Sequence, residues 1–183
     1  MVRRFKELGA DCVKVSKSPG HYADILEGKA QGLPVMVDLK VSETDAVTAS
    51  EAGVASIEHW YGVPDSALPH TQNFPLDYNY WDELKRFRWA GALWAEAARY
   101  SDALSKVVDL LIENGTNWNP TLVVYEDNRD LARVRALPWR DTLFHLSVLK
   151  SMWPDPGRHG SYHQEWTTSD EVRWKGNYRI WMR

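Results

Sequence analysis

Three side chains able to carry charge interrupt apolar runs of this sequence: Lys14 in "DCVKVS", Asp38 in "VMVDLKV" and His59 in "SIEHW". A charge inside a buried strand costs folding free energy unless it is paired or bound to a metal. The imidazole nitrogens of histidine and the carboxylate oxygens of aspartate can ligate a divalent metal ion. The three positions therefore predict a metal site, and Thr121 in "NPTLVV" occupies the corresponding place in a fourth run.

Each of the three residues also has a structural alternative. Lys14 could begin a loop and extend into solvent, and Asp38 could pair with Lys40 or cap the next helix. His59 could be a core histidine bonded to a backbone carbonyl. Strand alternation puts Glu58 on the face opposite His59, so Glu58 faces the helices if His59 faces the interior of a barrel. The coincidence of three polar strand ends favours the metal site.

The same arrangement of elements surrounds each of these runs: a helical segment, a glycine and then a short strand. A glycine just past a helix end supplies the left-handed conformation that closes the last turn. The predicted strands are short and almost entirely apolar, which is typical of parallel strands joined by helical crossovers. Four such units predict an α/β protein with a parallel sheet, whose ligands collect at the carboxyl ends of the strands. The glycines are Gly9, Gly32, Gly53 and Gly115, and the strands are CVKV, PVMV, VASI and TLVV.

A long insert, "VPDSALPHTQNFPLDYNYWDE", separates the third unit from the fourth. We expect it to be a loop that forms a lid or a pocket wall. Helices are predicted at roughly 82–99 and 101–114, and residues 126–183 are predicted to be mostly helical. The two ends of the sequence fall inside helical patterns that have no capping residues. We therefore expect the chain to be a piece of a larger fold.

The composition argues against several classes of protein. Basic and acidic residues are mixed along the chain and the formal net charge is −3, so no nucleic-acid partner is expected. No apolar run is long enough to span a membrane. The single Cys12 excludes an internal disulfide and a cysteine-cluster zinc site. No glycine-rich phosphate loop and no G-x-S-x-G motif occurs, so a half-barrel or flavodoxin-like domain with another ligand and no metal has no positive support.

Four segments, "LGADCVKV", "GLPVMVD", "AGVASIEHWYG" and "NGTNWNPTLVVYE", follow one another along the chain. In this order they resemble the middle of the amidohydrolase superfamily, in its imidazolonepropionase- and prolidase-like branch. The resemblance covers residues 1–125 well and residues 126–183 loosely. It implies that residues 1–183 form an incomplete barrel domain, a partial (β/α)8 TIM barrel that contains the fourth to seventh strands.

The resemblance also implies a site and a reaction. Lys14 takes the position of a lysine that bridges two metal ions when it is carbamylated, and His59 takes that of a ligand on the sixth strand. Asp38 lies nearest to the fifth-strand position, where the family has a histidine. The implied cofactor is one or two divalent metal ions, most commonly zinc. The implied partner is a small-molecule substrate, and the implied activity is hydrolysis of its carbon–nitrogen bond, in a non-peptide amide, cyclic amide or dipeptide, by a metal-activated water.

Two parts of the family's site are missing from this sequence. No His-x-His pair occurs, and no eighth strand ending in aspartate follows the fourth unit. Metal-dependent hydrolysis needs at least three protein ligands, an open coordination position and a general base. We therefore expect no hydrolase activity from the isolated chain. The alternative is a non-catalytic interaction or ligand-binding domain derived from a degenerate barrel, and its open sheet edges could mediate self-association.

Four further residues are candidates for a substrate pocket. His21 follows the Lys14 strand and could reach a substrate, or could be a solvated loop histidine. Trp60 and Tyr61 continue from His59 into the mouth of the expected barrel, or pack under the insert. Tyr125 follows the last predicted strand. The remaining histidines considered as ligands are predicted to lie in loops: His70, His159 and His163.

Overall fold

The computed structural model describes residues 1–16, 21–40, 44–69, 81–123 and 136–151, together with 167–169, 172, 175, 176 and 179. The chain divides into two compact units, Met1–Pro120 and Thr121–Arg183. In chain order, the described elements of the first unit are α1 (Val2–Glu7), β1 (Val13–Ser16), α2 (His21–Ala30), β2 (Val35–Asp38), α3 (Ala46–Glu51), β3 (Ser56–Glu58), α4 (Val63–Ala67), α5 (Glu83–Ala97), a 3-10 turn (Ala98–Tyr100), α6 (Ser101–Glu113) and β4 (Asn117–Asn119). In the second unit they are α7 (Arg140–Leu143) and α8 (Leu146–Ser151).

The four strands form one parallel sheet in the order β1-β2-β3-β4, which is also their order along the chain. This confirms the predicted α/β class and the predicted parallel sheet. A sheet of this kind is compatible with part of a barrel. Closure into a TIM barrel stays a prediction.

The four glycines that mark the predicted helix ends all have left-handed backbone conformations. Their φ angles are 81° at Gly9, 65° at Gly32, 90° at Gly53 and 67° at Gly115. Each of them follows a helix and precedes a strand, since α1, α2, α3 and α6 lead into β1, β2, β3 and β4. The predicted helix–glycine–strand units are therefore confirmed.

The prediction that places the fourth strand at TLVV is wrong. The strand is Asn117–Asn119, and residues 122 and 123 are helical instead. Asn117 donates its backbone N–H to the carbonyl oxygen of Ala55 at 3.0 Å, and His59 donates to the carbonyl oxygen of Asn119 at 2.8 Å. These bonds fix the pairing directly after Gly115. Local preference for β-branched residues was overridden by the pairing with β3, because strand propensity depends on context.

The insert after the third strand does not begin as a loop. Its first residues form helix α4, in which Val63, Pro64 and Ala67 are buried. Helix α4 packs against α3, α5 and α6. Residues 70–80, the remaining part of the insert up to Trp81, lie outside the described residues.

One face of the sheet is apolar and covered by helices. Val15, Val37 and Ile57 occupy adjacent strands in register, and their side chains are buried. Helix α2 packs closely against this face at Gly28, where a Cβ atom would overlap the side chain of Val35. Burial of these branched side chains supplies the main hydrophobic stabilisation of the sheet.

Candidate functional site

The opposite face of the sheet carries polar side chains at the carboxyl ends of all four strands. Ser16, Asp38, Glu58 and Asn119 are paired in register across β1, β2, β3 and β4, and we call them the polar row. Hydrogen bonds link its outer pairs. Ser16 Oγ donates to Asp38 Oδ2 at 3.4 Å, and Asn119 Nδ2 donates to Glu58 Oε2 at 3.1 Å. The strand ends therefore meet in one line, as the parallel-sheet argument predicts.

Asp38 is the buried member of the polar row. Its side chain is 1% exposed, and its Oδ2 atom forms an ion pair with the ammonium group of Lys40. The other oxygen, Oδ1, is buried and has no hydrogen-bond partner among the described residues. An unpaired buried carboxylate oxygen costs free energy unless another donor or a metal ion meets it. Asp38 thus follows the Lys40 alternative and still presents one open acceptor.

His59 is the first residue after β3, and its backbone is left-handed with a φ angle of 68°. Residues with a Cβ atom rarely adopt this conformation. The ring lies near the buried carboxylate, with 3.8 Å between His59 Nε2 and Asp38 Oδ2. The side chain is 25% exposed. Two of the three predicted metal-site residues are therefore brought together at neighbouring strand ends.

The surroundings of His59 favour the neutral imidazole. Burial lowers the pKa of His59 below its usual value, and the positive charges of Lys14 and Lys40 act in the same direction. The carboxylates of Asp38 and Glu58 oppose this shift without reversing it. A neutral imidazole is the form that binds a metal ion, so the lowered pKa favours the protonation state that a metal ligand needs.

Glu58 does not face the helices, as strand alternation from His59 suggested. It is paired in register with Asp38 and lies on the same face. Ser56 Oγ donates to Glu58 Oε1 at 2.7 Å, on the strand position two residues earlier. The expectation was wrong because His59 leaves the strand with a positive φ angle, and period-two alternation ends there.

Lys14 lies inside β1 and does not begin a loop, whereas the other half of that alternative, a side chain that extends into solvent, is confirmed. Its side chain is exposed and stands on the face of the polar row, two residues before Ser16. It is near enough to His59 for its charge to lower the histidine's pKa. Sequence reasoning found Lys14 and Asp38 but missed Ser16, Glu58 and Asn119. Their signal was the alternation of polar and apolar residues within VKVS, SIE and NWN.

Two tryptophans bind the backbone next to the candidate site. Trp118 Nε1 donates to the carbonyl oxygen of His59 at 2.7 Å, and Trp94 Nε1 donates to that of Trp60 at 2.9 Å. The rings of Trp94 and Trp118 are stacked, with 5.7 Å between their centroids and 15° between their planes. The turn that follows β3 is thus fixed by donors from α5 and β4.

The substrate-pocket candidates have different positions. His21 is the first residue of α2 and is fully buried, so the solvated-loop alternative is wrong. Trp60 is 1% exposed and packs in the core. Tyr61 lines a small cleft together with Lys40 and Arg86. Outside the described residues lie Tyr125, His70, His159 and His163.

Arg86 contacts Tyr61 in this cleft. Its Nε atom donates to the tyrosine hydroxyl at 3.3 Å, and its guanidinium carbon is 5.8 Å from the centre of the ring. Burial raises the pKa of Tyr61, and the positive charge of Arg86 opposes that rise. Tyr61 is therefore a protonated phenol at neutral pH, able to donate a hydrogen bond.

The donors at the polar row fit part of a metal site. Asp38 Oδ1 is an unpartnered buried acceptor, and the imidazole of His59, whose pKa burial lowers, lies 3.8 Å from the other oxygen of this carboxylate, Oδ2. A catalytic zinc ion needs three protein ligands. Within the described ranges, no group of three or more histidine, cysteine, aspartate or glutamate side chains is placed to hold a metal ion.

Comparisons with protein-family models, with curated proteins and with solved structures found no match to this chain. The function is therefore inferred from the physical arrangement of the site. In the part of the chain that the structure describes, no helix has both the length and the apolar character needed to cross a membrane.

Proposed function

We propose that this chain is part of an amidohydrolase-type (β/α)8 barrel, a metal-dependent hydrolase that cleaves carbon–nitrogen bonds with a metal-activated water. The strand order supports this. Parallel strands that follow one another in chain order, joined by right-handed crossovers, put every helix on the same face. A doubly wound sheet would instead reverse its order at a switch point. The remaining face would then line the barrel interior.

The observation that carries the proposal is the approach of His59 Nε2 to Asp38 Oδ2 at 3.8 Å, at the carboxyl ends of two adjacent strands. Barrel enzymes build their active sites at this end of the sheet. Lys14 stands on the same face of the next strand. Lys14 and His59 have the types and strand positions that the sequence resemblance implies for metal ligands, and Asp38 is a carboxylate nearest to the position where the family has a histidine.

Lys14, Asp38 and His59 are the residues that would hold the divalent ion, which when bound supplies a Lewis acid for water and for the scissile carbonyl. The chain itself keeps these side chains in forms that can bind a metal ion. Burial and the nearby lysines keep the imidazole of His59 unprotonated. Lys40 offsets the cost of burying the Asp38 carboxylate.

We expect no turnover from the isolated chain. Asp38 and His59 are two donors, and Lys14 adds a third only as a carbamate. Glu58 is not placed as a free base, because Ser56 and Asn119 each donate a hydrogen bond to one of its oxygens. A general base and further ligands would have to come from other strands of the complete barrel.

Zinc titration of the purified chain by isothermal calorimetry tests the proposal. Asp38→Asn and His59→Gln should each weaken zinc binding about tenfold or more, since the loss of even an outer-shell partner of a metal ligand commonly costs that much affinity. The matched controls are Asp109→Asn and His145→Gln, which change the same residue types at exposed positions. The proposal fails if the two site variants bind zinc as tightly as the controls do.

The activity of the isolated chain is a separate test. Hydrolysis of an amide, a cyclic amide or a dipeptide is measured with and without added zinc, and no turnover is expected. Zinc-dependent turnover that His59→Gln abolishes would contradict the expected inactivity while supporting the hydrolase class.

One observation favours the second candidate, a non-catalytic binding domain. The ammonium group of Lys40 already pairs with the Asp38 oxygen that lies nearest to His59. A bound cation would have to share this carboxylate with the lysine. If the chain does not bind zinc, the polar row is better described as a surface that binds a polar organic ligand.

A further inference from the structure

The left-handed conformation of His59 is what brings its ring to Asp38. In a continued strand, His59 would follow Glu58 onto the apolar face that Ile57 occupies. With a φ angle of 68°, it instead lies 3.8 Å from the carboxylate of Asp38 on the polar face. A histidine holds this conformation only where its surroundings fix it. The groups that fix it therefore control the geometry of the site.

The carbonyl oxygens of His59 and Trp60 each accept a hydrogen bond from an indole N–H group. Trp118 binds the carbonyl oxygen of His59 at 2.7 Å, and Trp94 binds that of Trp60 at 2.9 Å. The amide N–H of His59 is held by the carbonyl oxygen of Asn119 at 2.8 Å. The turn is thus bound on both sides by donors and acceptors from other elements.

The two indoles also fix each other. Trp94 comes from α5 and is 1% exposed, whereas Trp118 comes from β4, and their rings are stacked at 5.7 Å. Offset stacking adds to the attraction from burial alone, so each ring limits the movement of the other. Both indole N–H groups donate to the backbone of residues 59 and 60, so we expect their effect on the site to pass through this backbone.

We propose that Trp94 and Trp118 are positioning residues: their indole N–H groups hold the His59–Trp60 turn in the left-handed conformation that directs the imidazole to Asp38. This positioning role does not depend on a bound metal ion. Its consequence for zinc binding rests on the proposed function. Core packing would need only the rings, whereas positioning needs the N–H donors, and this difference makes the two roles separable.

The experiment removes the donor and keeps the ring. β-(3-Benzothienyl)alanine, in which sulfur replaces the indole N–H, is incorporated at position 118 or 94. The matched control is the same replacement at Trp139, which is 43% exposed and lies in the second unit. Trp118→Phe and Trp94→Phe serve as a second pair of variants. The measurements are the scalar and residual dipolar couplings of the His59 backbone, the zinc dissociation constant and the midpoint of urea unfolding.

We expect the replacement at position 118 to change the His59 couplings toward those of an extended residue. The zinc dissociation constant should rise about fivefold, the factor that one net hydrogen bond represents. The replacement at position 94 should have a smaller effect in the same direction, and the control should have none. Loss of stability without a change in the His59 couplings would overturn the proposal, because it would show packing alone.

The outcome is distinguishable from failure of the proposed function. If the unmodified chain binds no zinc, the metal site is wrong, and the His59 couplings still decide the positioning. If the chain binds zinc and the replacements at 118 and 94 match the control in both measurements, the positioning is wrong and the metal site stands.

Discussion

The two faces of the sheet are built from the same fourteen described strand residues and have opposite chemistry. Val15, Val37 and Ile57 on one face are buried under helices. The polar row lies on the other face, at the same strand ends. Along each strand, residues that stabilise the fold therefore alternate with residues of the candidate site. A substitution on one face should change folding, and its neighbour on the other face should change binding.

The largest effect is expected at the centre of the apolar face. Ile57 is fully buried, and Ile57→Ala should lower the free energy of unfolding by about 3 to 4 kcal/mol through lost burial and a residual cavity. Glu58→Ala, one residue along and on the opposite face, should cost less than about 1 kcal/mol. Urea denaturation measures both. Equal losses from the two variants would contradict the separation of the faces.

Lys40 is the exception on the polar face, because it compensates a buried charge. Lys40→Met leaves the 1% exposed Asp38 without its counter-ion and should cost about 3 kcal/mol of unfolding free energy. Lys106→Met, at an exposed position on α6, is the control. The double variant Asp38→Asn/Lys40→Met should recover part of the loss. A double variant as unstable as Lys40→Met alone would show that the buried charge is not the cause.

Asp65 shows that the helix layer also contains a buried carboxyl group. Burial raises its pKa to about 6 from the usual 3.8, and the negative charge of Asp45 adds to that rise. The hydrogen bond that Asp65 accepts from the N–H of Gly62 at 3.1 Å opposes it. The folded protein therefore keeps a proton on Asp65 at pH values where the unfolded chain has already released it.

The sign of the pH effect follows from this raised pKa. Asp65 contributes most stability below pH 4, and that contribution falls as the pH rises to about 6. Relative to Asp65→Asn, the wild-type chain should lose about 2 kcal/mol of unfolding free energy across this interval. Asp109→Asn, at an exposed position, is the control variant. Parallel stability curves for wild type and Asp65→Asn would contradict the raised pKa.

Much of the fold could be predicted from local pattern. The glycines at 9, 32, 53 and 115 mark helix ends because their φ angles are unfavourable for other residues. The apolar runs placed the first three strands to within two residues of their observed starts. The fourth strand was misplaced because NWN lacks β-branched residues, and its pairing with β3 depends on residues about 60 positions earlier in the chain.

The candidate site was predictable only in part, for the same reason. Lys14, Asp38 and His59 could be identified as polar residues in apolar runs, and the parallel sheet predicted that they share one edge. Glu58 was assigned to the wrong face, because nothing in the residue type of His59 indicates a positive φ angle. That angle depends on Trp94 and Trp118, which are 35 and 59 residues away in sequence.

The sequence by itself determined the α/β class, the parallel sheet and the identity of the charged residues at its edge. These depend on periodicity and on glycine, which act over a few residues. Only the tertiary structure decided that Lys40 pairs with Asp38, that Glu58 joins the polar row and that His59 turns back toward the carboxylate. The Lys40 pair joins residues two positions apart, and the structure distinguishes it from the alternatives that the sequence left open. The other two depend on contacts between distant elements, where packing and hydrogen bonding outweigh the local preference of the residue.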